Sequence, residues 1–221
     1  MAENKVVISV LGGTGKEGKG LAFRWAKAGY KVIIGSRDVN KAVLAAEELN
    51  ELIGYNIVSG LDNLTAAREA DYAVLTVPHQ AHISTLELLK DALTGKILID
   101  VTVPLVPPKV TKVQMPPAGS AAQEAREILG ESVEVVDAFQ SISYEHLMEG
   151  DSVPCDVLVT GSSRDARLKV IKLIEDAGLT GWDAGPIENS VVVEGLTSIL
   201  IYINKQYGST HAGIKITGVK K

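Results

Sequence analysis

The sequence predicts an α/β fold with a doubly wound, mainly parallel sheet, followed by a smaller C-terminal α/β extension that ends in a long helix. From residue 6 to residue 101, continuously apolar runs alternate with segments of helical periodicity, which is typical of parallel strands covered by helices on both faces. A glycine-rich turn joins the first apolar run to the first helical segment. The last long helical pattern covers about residues 188–207.

The same patterns predict each element in order. Strands are predicted at residues 6–11, 31–35, 56–60, 72–77, 96–101, 132–139 and 155–161. Helices are predicted at residues 17–29, 39–53, 63–69, 81–93, 121–129, 164–177 and about 188–207. Residues 101–119 hold five of the eight prolines, which predicts a stiff, irregular loop. We place a domain boundary at residue 150, with a nucleotide-binding domain over residues 1–150 and a small second domain over residues 151–221.

The composition is that of a globular protein. The chain has 221 residues, of which 46% are hydrophobic, enough to bury a sizeable core. A net charge of −5 argues against a general nucleic-acid binder, which usually carries a basic face. The single cysteine, Cys155, predicts a buried thiol in a reducing compartment. Since neither a secretory signal pattern nor a membrane-length apolar stretch is present, we expect a cytoplasmic protein.

The glycine-rich turn has the pattern G-x-G-x-x-G from Gly13 to Gly18. The pattern alone is weak, but here it lies between a predicted strand and a predicted helix, as in a Rossmann-type dinucleotide site. Gly13 is expected to allow the turn, Gly15 to let a pyrophosphate approach the backbone, and Gly18 to let the helix pack closely on the sheet. The free N–H groups of the helix N-terminus would then bind the phosphates.

The end of the second strand predicts which nucleotide binds. An NAD site usually has an acidic residue there, to bind the ribose 2′-hydroxyl. This chain instead has Ser36 and Arg37, with Lys41 one helical turn later, and these groups suit the 2′-phosphate of NADP. Asp38 is the one discordant charge, and it would be harmless if it pointed away or capped the next helix.

The fourth predicted strand ends in Val77, Pro78 and His79. Because ligands bind at the carboxyl ends of parallel strands, we expect these residues near the nicotinamide. His79 and His82 are three residues apart and resemble a pair of metal ligands, but no third ligand is evident in the sequence. We therefore predict no metal site.

A family resemblance rests on the segments LGGTGKEGKGLA, GSRDVNKA, LTVP, PPAGSAAQEA, DAGPIENS and GIKITG. Together they closely resemble the coenzyme F420-dependent NADP reductases of archaea and some bacteria, over nearly the whole chain. The glycine turn is shared by many dinucleotide proteins. The combination of GSR with a lysine four residues later, and of DAGP-x-x-NS with GIK, is far more specific.

The resemblance implies hydride transfer between NADP(H) and the deazaflavin coenzyme F420 in a homodimer, with no catalytic side chain. It places the adenosine phosphates on Thr14, Gly15, Lys16 and Glu17, and the 2′-phosphate on Ser36, Arg37 and Lys41. It places the nicotinamide pocket along Val77, His79 and Ile83. It places the meeting point of the two rings beside Val103, Leu105, Tyr144 and Ala212.

The chain departs from the family pattern at three places. Lys16-Glu17 stands where other members have an amide and an apolar residue, and His79 stands where an aromatic residue can occur. Residues 140–144 differ from a small, proline-containing version. The ring nitrogen of the deazaflavin needs a proton on reduction, and solvent, His79 or His82 are its candidate sources.

Two other functions also fit the nucleotide motif. One is an NADP-dependent reductase of a small carbonyl or imine, although such enzymes often have a larger helical second domain. The other is a regulatory NADP-binding module without turnover. For a deazaflavin with an acidic tail, the candidate basic residues are Lys205, Lys215, Lys220 and Lys221.

Overall fold

A computed structural model describes residues 6–148 and 153–219. Its strands are β1 (Val7–Leu11), β2 (Lys31–Ser36), β3 (Val58–Asp62), β4 (Tyr72–Leu75), β5 (Ile97–Asp100), β6 (Glu134–Asp137), β7 (Asp156–Gly161) and β8 (Thr180–Pro186). Its helices are α1 (Lys16–Lys27), α2 (Val39–Ile53), α3 (Asn63–Glu69), α4 (His82–Leu93), α5 (Ala121–Leu129), α6 (Tyr144–Met148), α7 (Arg164–Asp176) and α8 (Ser190–Tyr207). Short 3₁₀ turns precede α4 and α8.

All eight strands form one sheet in the order β3-β2-β1-β4-β5-β6-β7-β8. Every neighbouring pair is parallel except β6 and β7, which run antiparallel. The strand order reverses between β1 and β4, so a crevice opens there at the carboxyl ends of the two strands. This topological switch point is where open α/β sheets bind their ligands.

Two hydrophobic cores cover the two faces of the sheet. One contains buried residues of α1, α2 and α7, with Trp25 fully buried among them. The other contains buried residues of α3, α4 and α5, such as Leu86 and Leu89. Helices on both faces of a mainly parallel sheet confirm the predicted fold class.

Helix α8 fixes the C-terminal part of the chain to the rest of the sheet. The buried Glu194 carboxylate accepts hydrogen bonds from the backbone N–H groups of Ala121 and Ala122, at 2.8 and 3.0 Å. Thr197, one turn later, donates to the carbonyl oxygen of Gln140 at 2.7 Å. These bonds hold α8 against the N-terminus of α5 and beside the carboxyl end of β6.

Most predicted elements are present, and the differences have local causes. The structure adds strand β8 and the five-residue helix α6. Strand β8 was not predicted because Gly181, Gly185 and Pro186 are residues typical of loops. Residues 101–119 contain no helix or strand, as predicted. The domain boundary predicted at residue 150 lies outside the described residues, and the strands on either side of it, β6 and β7, belong to the same sheet.

None of the described helices combines the length and the apolarity needed to span a bilayer.

Candidate active site

The glycine turn follows β1 and is held against β2. The backbone N–H of Gly13 donates to the carbonyl oxygen of Gly35 at 3.0 Å. A Cβ at Gly13 would lie 2.5 Å from the carbonyl oxygen of Val10, and one at Gly18 would lie 2.6 Å from the Cα of Gly13. The close packing at Gly18 is therefore made against the turn itself, and not on the sheet as predicted.

The turn differs from the prediction in a second respect. The residue with a left-handed backbone is Gly12, with φ at +71°, and it lies outside the predicted G-x-G-x-x-G motif. Position 13 requires glycine because a side chain there would clash with Val10, and not because of its backbone angle. A Cβ at Gly15 would meet nothing within 4 Å, so the surface above this residue is open to a ligand.

Helix α1 begins directly after this open surface. Gly15 is its N-cap and supplies no side-chain hydrogen bond. The first N–H groups of the helix therefore have no side-chain cap, and together with the helix dipole they favour an anion. Thr14 and Lys16 flank this position.

The predicted 2′-phosphate residues lie at the carboxyl end of β2. Ser36 is buried, and its hydroxyl accepts a hydrogen bond from the backbone N–H of Asp38 at 3.1 Å. Arg37 and Lys41 are exposed, and neither side chain has a hydrogen bond or ion pair within residues 6–148 and 153–219. The Asp38 carboxylate accepts from the N–H groups of Asn40 and Lys41 as the N-cap of α2. The discordant acid is thus engaged in capping, and the two cations are available.

The crevice at the switch point is a cleft of about 340 Å³. Six predicted site residues line it, drawn from α1 and from the loops after β4 and β5: Glu17, Val77, Pro78, His79, Val103 and Leu105. Ile83 does not line the cleft, because it lies on the exposed side of α4. Tyr144, on α6, and Ala212, in the C-terminal segment, do not line it either.

Several lining residues were not predicted. They are Thr76, Val101, Thr102, Phe139, Ile142 and Thr197, together with Gln140 from the segment that departs from the family pattern. Phe139 is the one described non-glycine residue with a left-handed backbone, at φ +78°, and its ring packs edge-on against Trp25 with the centroids 5.7 Å apart. Phe139 follows β6 closely, so the general rule for strand ends would have found it.

Unpartnered polar atoms surround the cleft. Within the described part of the chain, six buried side-chain atoms lack a hydrogen-bond partner, and four of them belong to lining residues. They are Glu17 Oε1, His79 Nε2, Thr102 Oγ1 and Gln140 Oε1. Because native structures rarely leave such atoms unpaired, their concentration at one cleft indicates a ligand that completes their hydrogen bonds.

A polar cluster closes one side of the glycine turn. The Lys16 ammonium donates to the Tyr144 hydroxyl at 3.0 Å and lies 4.7 Å from the centroid of the same ring. This hydrogen bond raises the pKa of Lys16 above its usual value. Tyr144 donates to Glu145, which in turn lies 2.9 Å from His211. Lys16 thereby connects the glycine turn to α6 and the C-terminal segment.

His82 is the centre of a buried charge network. Its Nε2 lies 2.7 Å from Asp100 and its Nδ1 lies 2.9 Å from Glu124. Burial alone would lower the pKa of His82, but Asp100 and then Glu124 raise it, to about 9. The imidazole is therefore a cation at neutral pH, held between the carboxylates of Asp100 and Glu124.

The structure also supplies the third candidate metal ligand that the sequence did not show. Ligand atoms of His79, His82 and Glu124 all lie within 4.8 Å of one another. Both nitrogens of His82 are already hydrogen-bonded to carboxylates, so a metal ion would have to displace a proton. His79 Nε2 lies 3.5 Å from Glu124, too far for a good hydrogen bond. This geometry favours a network of a protonated His82 with two carboxylates. The absence of a metal stays a prediction.

Two further buried acids lie near Gln140. The Gln140 amide donates to the Asp137 carboxyl and to the carbonyl oxygen of Asp100. Burial, and then the neighbouring carboxyls of Glu194 and Asp100, raise the pKa of Asp137 well above its usual value. Burial also raises the pKa of Glu194 to about 8, against the two backbone N–H bonds that lower it. Burial and the neighbouring carboxyls thus disfavour the ionised form of both acids.

The basic residues predicted for an acidic tail are only partly described. Lys205 and Lys215 are exposed, whereas Lys220 and Lys221 lie outside the described residues. The backbone around Lys215 is fixed along β7, since Asp156 binds both Ile214 and Ile216. Cys155 is buried in the same region, as predicted.

The sequence and the fold are similar to those of known oxidoreductases. The sequence model of the family described as NADP oxidoreductase coenzyme F420-dependent matches residues 7–104. The F420-dependent NADP reductase of Methanocaldococcus jannaschii is 39% identical over 96% of this chain and 99% of its own length. That of Methanothermobacter marburgensis is 41% identical over 96% and 98%. A crystal structure from Arthrobacter sp. FB24, described as a candidate F420-dependent NADP reductase, has a TM-score of 0.79 at 25% identity and covers 95% of this chain and 98% of that chain.

Proposed function

Because the chain belongs to the family of F420-dependent NADP reductases, we propose that it transfers a hydride between NADP(H) and the deazaflavin coenzyme F420. The observation that carries the proposal is the cleft at the switch point. It lies between the first turn of α1 and apolar strand ends, and four of its lining residues carry a buried polar atom without a partner. Both cofactors are small, diffusible substrates of the enzyme.

NADP(H) is proposed to lie along the carboxyl ends of β2, β1 and β4. Arg37 and Lys41 would bind the 2′-phosphate, because they are exposed cations without a partner in the described chain. The open surface at Gly15 would accept the pyrophosphate. The nicotinamide would then reach Val77, Pro78 and His79 on the cleft wall. Ile83 stays a proposed contact of the nicotinamide half of NADP(H), at the outer edge of the site.

The deazaflavin ring is proposed to enter from the side of α6 and the C-terminal segment. Val103 and Leu105 line the cleft, and Tyr144 on α6 and Ala212 on the C-terminal segment are the further proposed contacts of the ring. Exposed Lys205 and Lys215 are the described candidates for the acidic tail. The negative net charge makes such local cations necessary for an anionic substrate.

When bound, the two cofactors supply the redox chemistry: a hydride passes from C4 of the nicotinamide to C5 of the deazaflavin, and the deazaflavin ring nitrogen takes up a proton. The chain contributes by positioning the two rings and by excluding water from between them. Apolar Val77, Val103 and Leu105 line the cleft and would hold the two flat rings against each other, away from water. No side chain needs to form a covalent bond.

A mixing experiment tests the proposed function. Purified protein is added to oxidised F420 with NADPH, and with NADH in parallel, and the visible absorbance of F420 is followed. Rapid loss of absorbance with NADPH, and a much slower loss with NADH, is the expected result. Binding of NADPH without any loss of absorbance would contradict the proposal, and would direct the search to small carbonyl or imine acceptors or to an NADP-binding module.

A homodimer is also part of the proposal. Helix α8 presents exposed apolar side chains on its outer side, including Val192 (63% exposed), Ile199 (47%) and Tyr202 (54%). Contiguous apolar surface on a helix indicates a protein contact, and a second copy of the chain is the partner expected from the family resemblance. We also place the enzyme in the cytoplasm, where reducing conditions would keep the buried Cys155 thiol free.

Replacing Ile199 by Glu is expected to convert the dimer into a monomer, because a charge would enter an apolar interface. Sedimentation equilibrium should give twice the 23.4 kDa chain mass for the wild type and that single mass for the variant. Leu52→Glu, at another exposed apolar position on α2 (64%), is the control and should leave the mass unchanged. A wild-type monomer at micromolar concentration would contradict the dimer.

A further inference from the structure

Glu17 is the second residue of α1, and its side chain lines the cleft between the glycine turn and the ends of β4 and β6. It therefore stands beside the route from the phosphates to the nicotinamide. Oε1 is buried and has no hydrogen-bond partner in the described chain.

We propose that Glu17 enters the NADP(H) complex as a neutral carboxylic acid and donates a hydrogen bond to an oxygen of the diphosphate or the adjoining ribose. This inference rests on the proposed function, because it requires NADP(H) in the cleft. It makes Glu17 a positioning residue for the cofactor. It also couples cofactor binding to the uptake of a proton at this one side chain.

The surroundings of Glu17 favour the neutral form. A carboxylate in the first turn of a helix is usually stabilised by free N–H groups or by water, but Glu17 Oε1 contacts neither a donor nor solvent. The nearest cation in sequence, Lys16, is engaged by Tyr144. Burial raises the pKa of Glu17 to about 8, so the carboxyl is mostly protonated at pH 7.

The cofactor would strengthen this preference. A diphosphate at the N-terminus of α1 carries negative charge, and an ionised Glu17 beside it would be repelled. A protonated carboxyl has no charge and offers a donor to a phosphate or ribose oxygen. Binding of the anion must therefore raise the pKa of Glu17 further, and by linkage a proton is taken up on binding when the free enzyme is ionised.

The affinity for NADP+ is expected to depend on pH through this carboxyl. Below about pH 8, Glu17 is already neutral and NADP+ affinity should be nearly constant. Above that pH, each unit should weaken binding by up to about tenfold, because the proton must be recovered. Other titratable groups around the cleft are His79, His82, Asp100, Glu124, Asp137, Glu194, Lys16, Tyr144, Glu145 and His211.

Calorimetric titration of NADP+ between pH 6.5 and 9.5, in buffers of different ionisation enthalpy, measures affinity and proton uptake together. The wild type should take up nearly one proton at pH 9, in addition to any contribution from His82. Glu17→Gln keeps the shape and a hydrogen-bond donor but cannot titrate. It should take up about one proton fewer and should lose most of the affinity change between pH 8 and 9. Glu47→Gln, on an exposed part of α2, is the matched control.

Two results would overturn the inference. One is wild-type binding without proton uptake at pH 9, a measurement that needs no variant. The other is a Glu17→Gln or Glu17→Leu protein with the same pH profile as the wild type. If NADP+ does not bind the wild type even at pH 7, the proposed function itself fails, so the two failures are distinguishable.

Discussion

Replacing both Arg37 and Lys41 by alanine is expected to weaken NADP+ binding on the order of 10²–10³-fold while leaving NAD+ binding nearly unchanged. Both side chains are exposed at the carboxyl end of β2 and have no partner in the described chain, so the fold does not depend on them. The loss should come from the charged hydrogen bonds to the 2′-phosphate, which NAD+ lacks. The measurement is the dissociation constant of each nucleotide for the wild type and the variant.

Lys90→Ala, which removes a cation from the exposed side of α4, is the control and should change neither constant. An equal loss of affinity for NADP+ and NAD+ would mean that Arg37 and Lys41 shape the site but do not bind the 2′-phosphate. No loss for either would place the 2′-phosphate elsewhere. Ser36, whose hydroxyl already accepts from the backbone of Asp38, should contribute less than the two cations.

Replacing His82 by alanine is expected to lower the free energy of unfolding by about 3–5 kcal/mol, because it leaves the buried Asp100 carboxylate without its cation. Asp100 keeps only the hydrogen bond from the backbone N–H of Thr102 at its other oxygen. Urea unfolding at pH 7 measures the change. His211→Ala, which removes an exposed imidazole near Glu145, should cost less than about 1 kcal/mol. A similar small cost for His82→Ala would show that the network does not stabilise the fold.

The same histidine should make stability depend on pH. Its pKa rises from about 6.5 in the unfolded chain to about 9 in the fold, which corresponds to roughly 3 kcal/mol. That stabilisation is fully present below pH 6.5 and is lost as pH rises through 9. The raised pKa values of Glu17 and Glu194 act in the same direction. His82→Ala should therefore flatten part of the decline between pH 6.5 and 9, and an unchanged decline would contradict the assignment.

The sequence predicted the elements whose ends carry local signals. Helix α2 has the predicted bounds because Asp38 caps it and Gly54 ends it in a left-handed conformation. Helix α5 likewise begins after the N-cap Ser120. Strand β8 was missed because its two glycines and proline are breakers, and it is held as a strand by pairing with β7. Tertiary pairing of that kind overrides local preference and is not visible along the chain.

The candidate site was predictable to the same degree. Residues of the glycine turn and of the strand ends follow from the rules of the fold, and Glu17, Val77 and Val103 do line one cleft. The left-handed Gly12 and the contact of Glu124 with His82 could not be predicted. The first depends on the path of a single turn, and the second joins residues 42 positions apart. Such contacts depend on how α4 and α5 pack.

The most direct test of hydride transfer is to follow the hydrogen itself. NADPH carrying deuterium at both C4 positions is mixed with oxidised F420 and the enzyme, and the reduced F420 is analysed by mass spectrometry. Direct transfer predicts one deuterium at C5 of reduced F420 in unlabelled water. Reduced F420 without deuterium, or no reduction while labelled NADPH is bound, would contradict it.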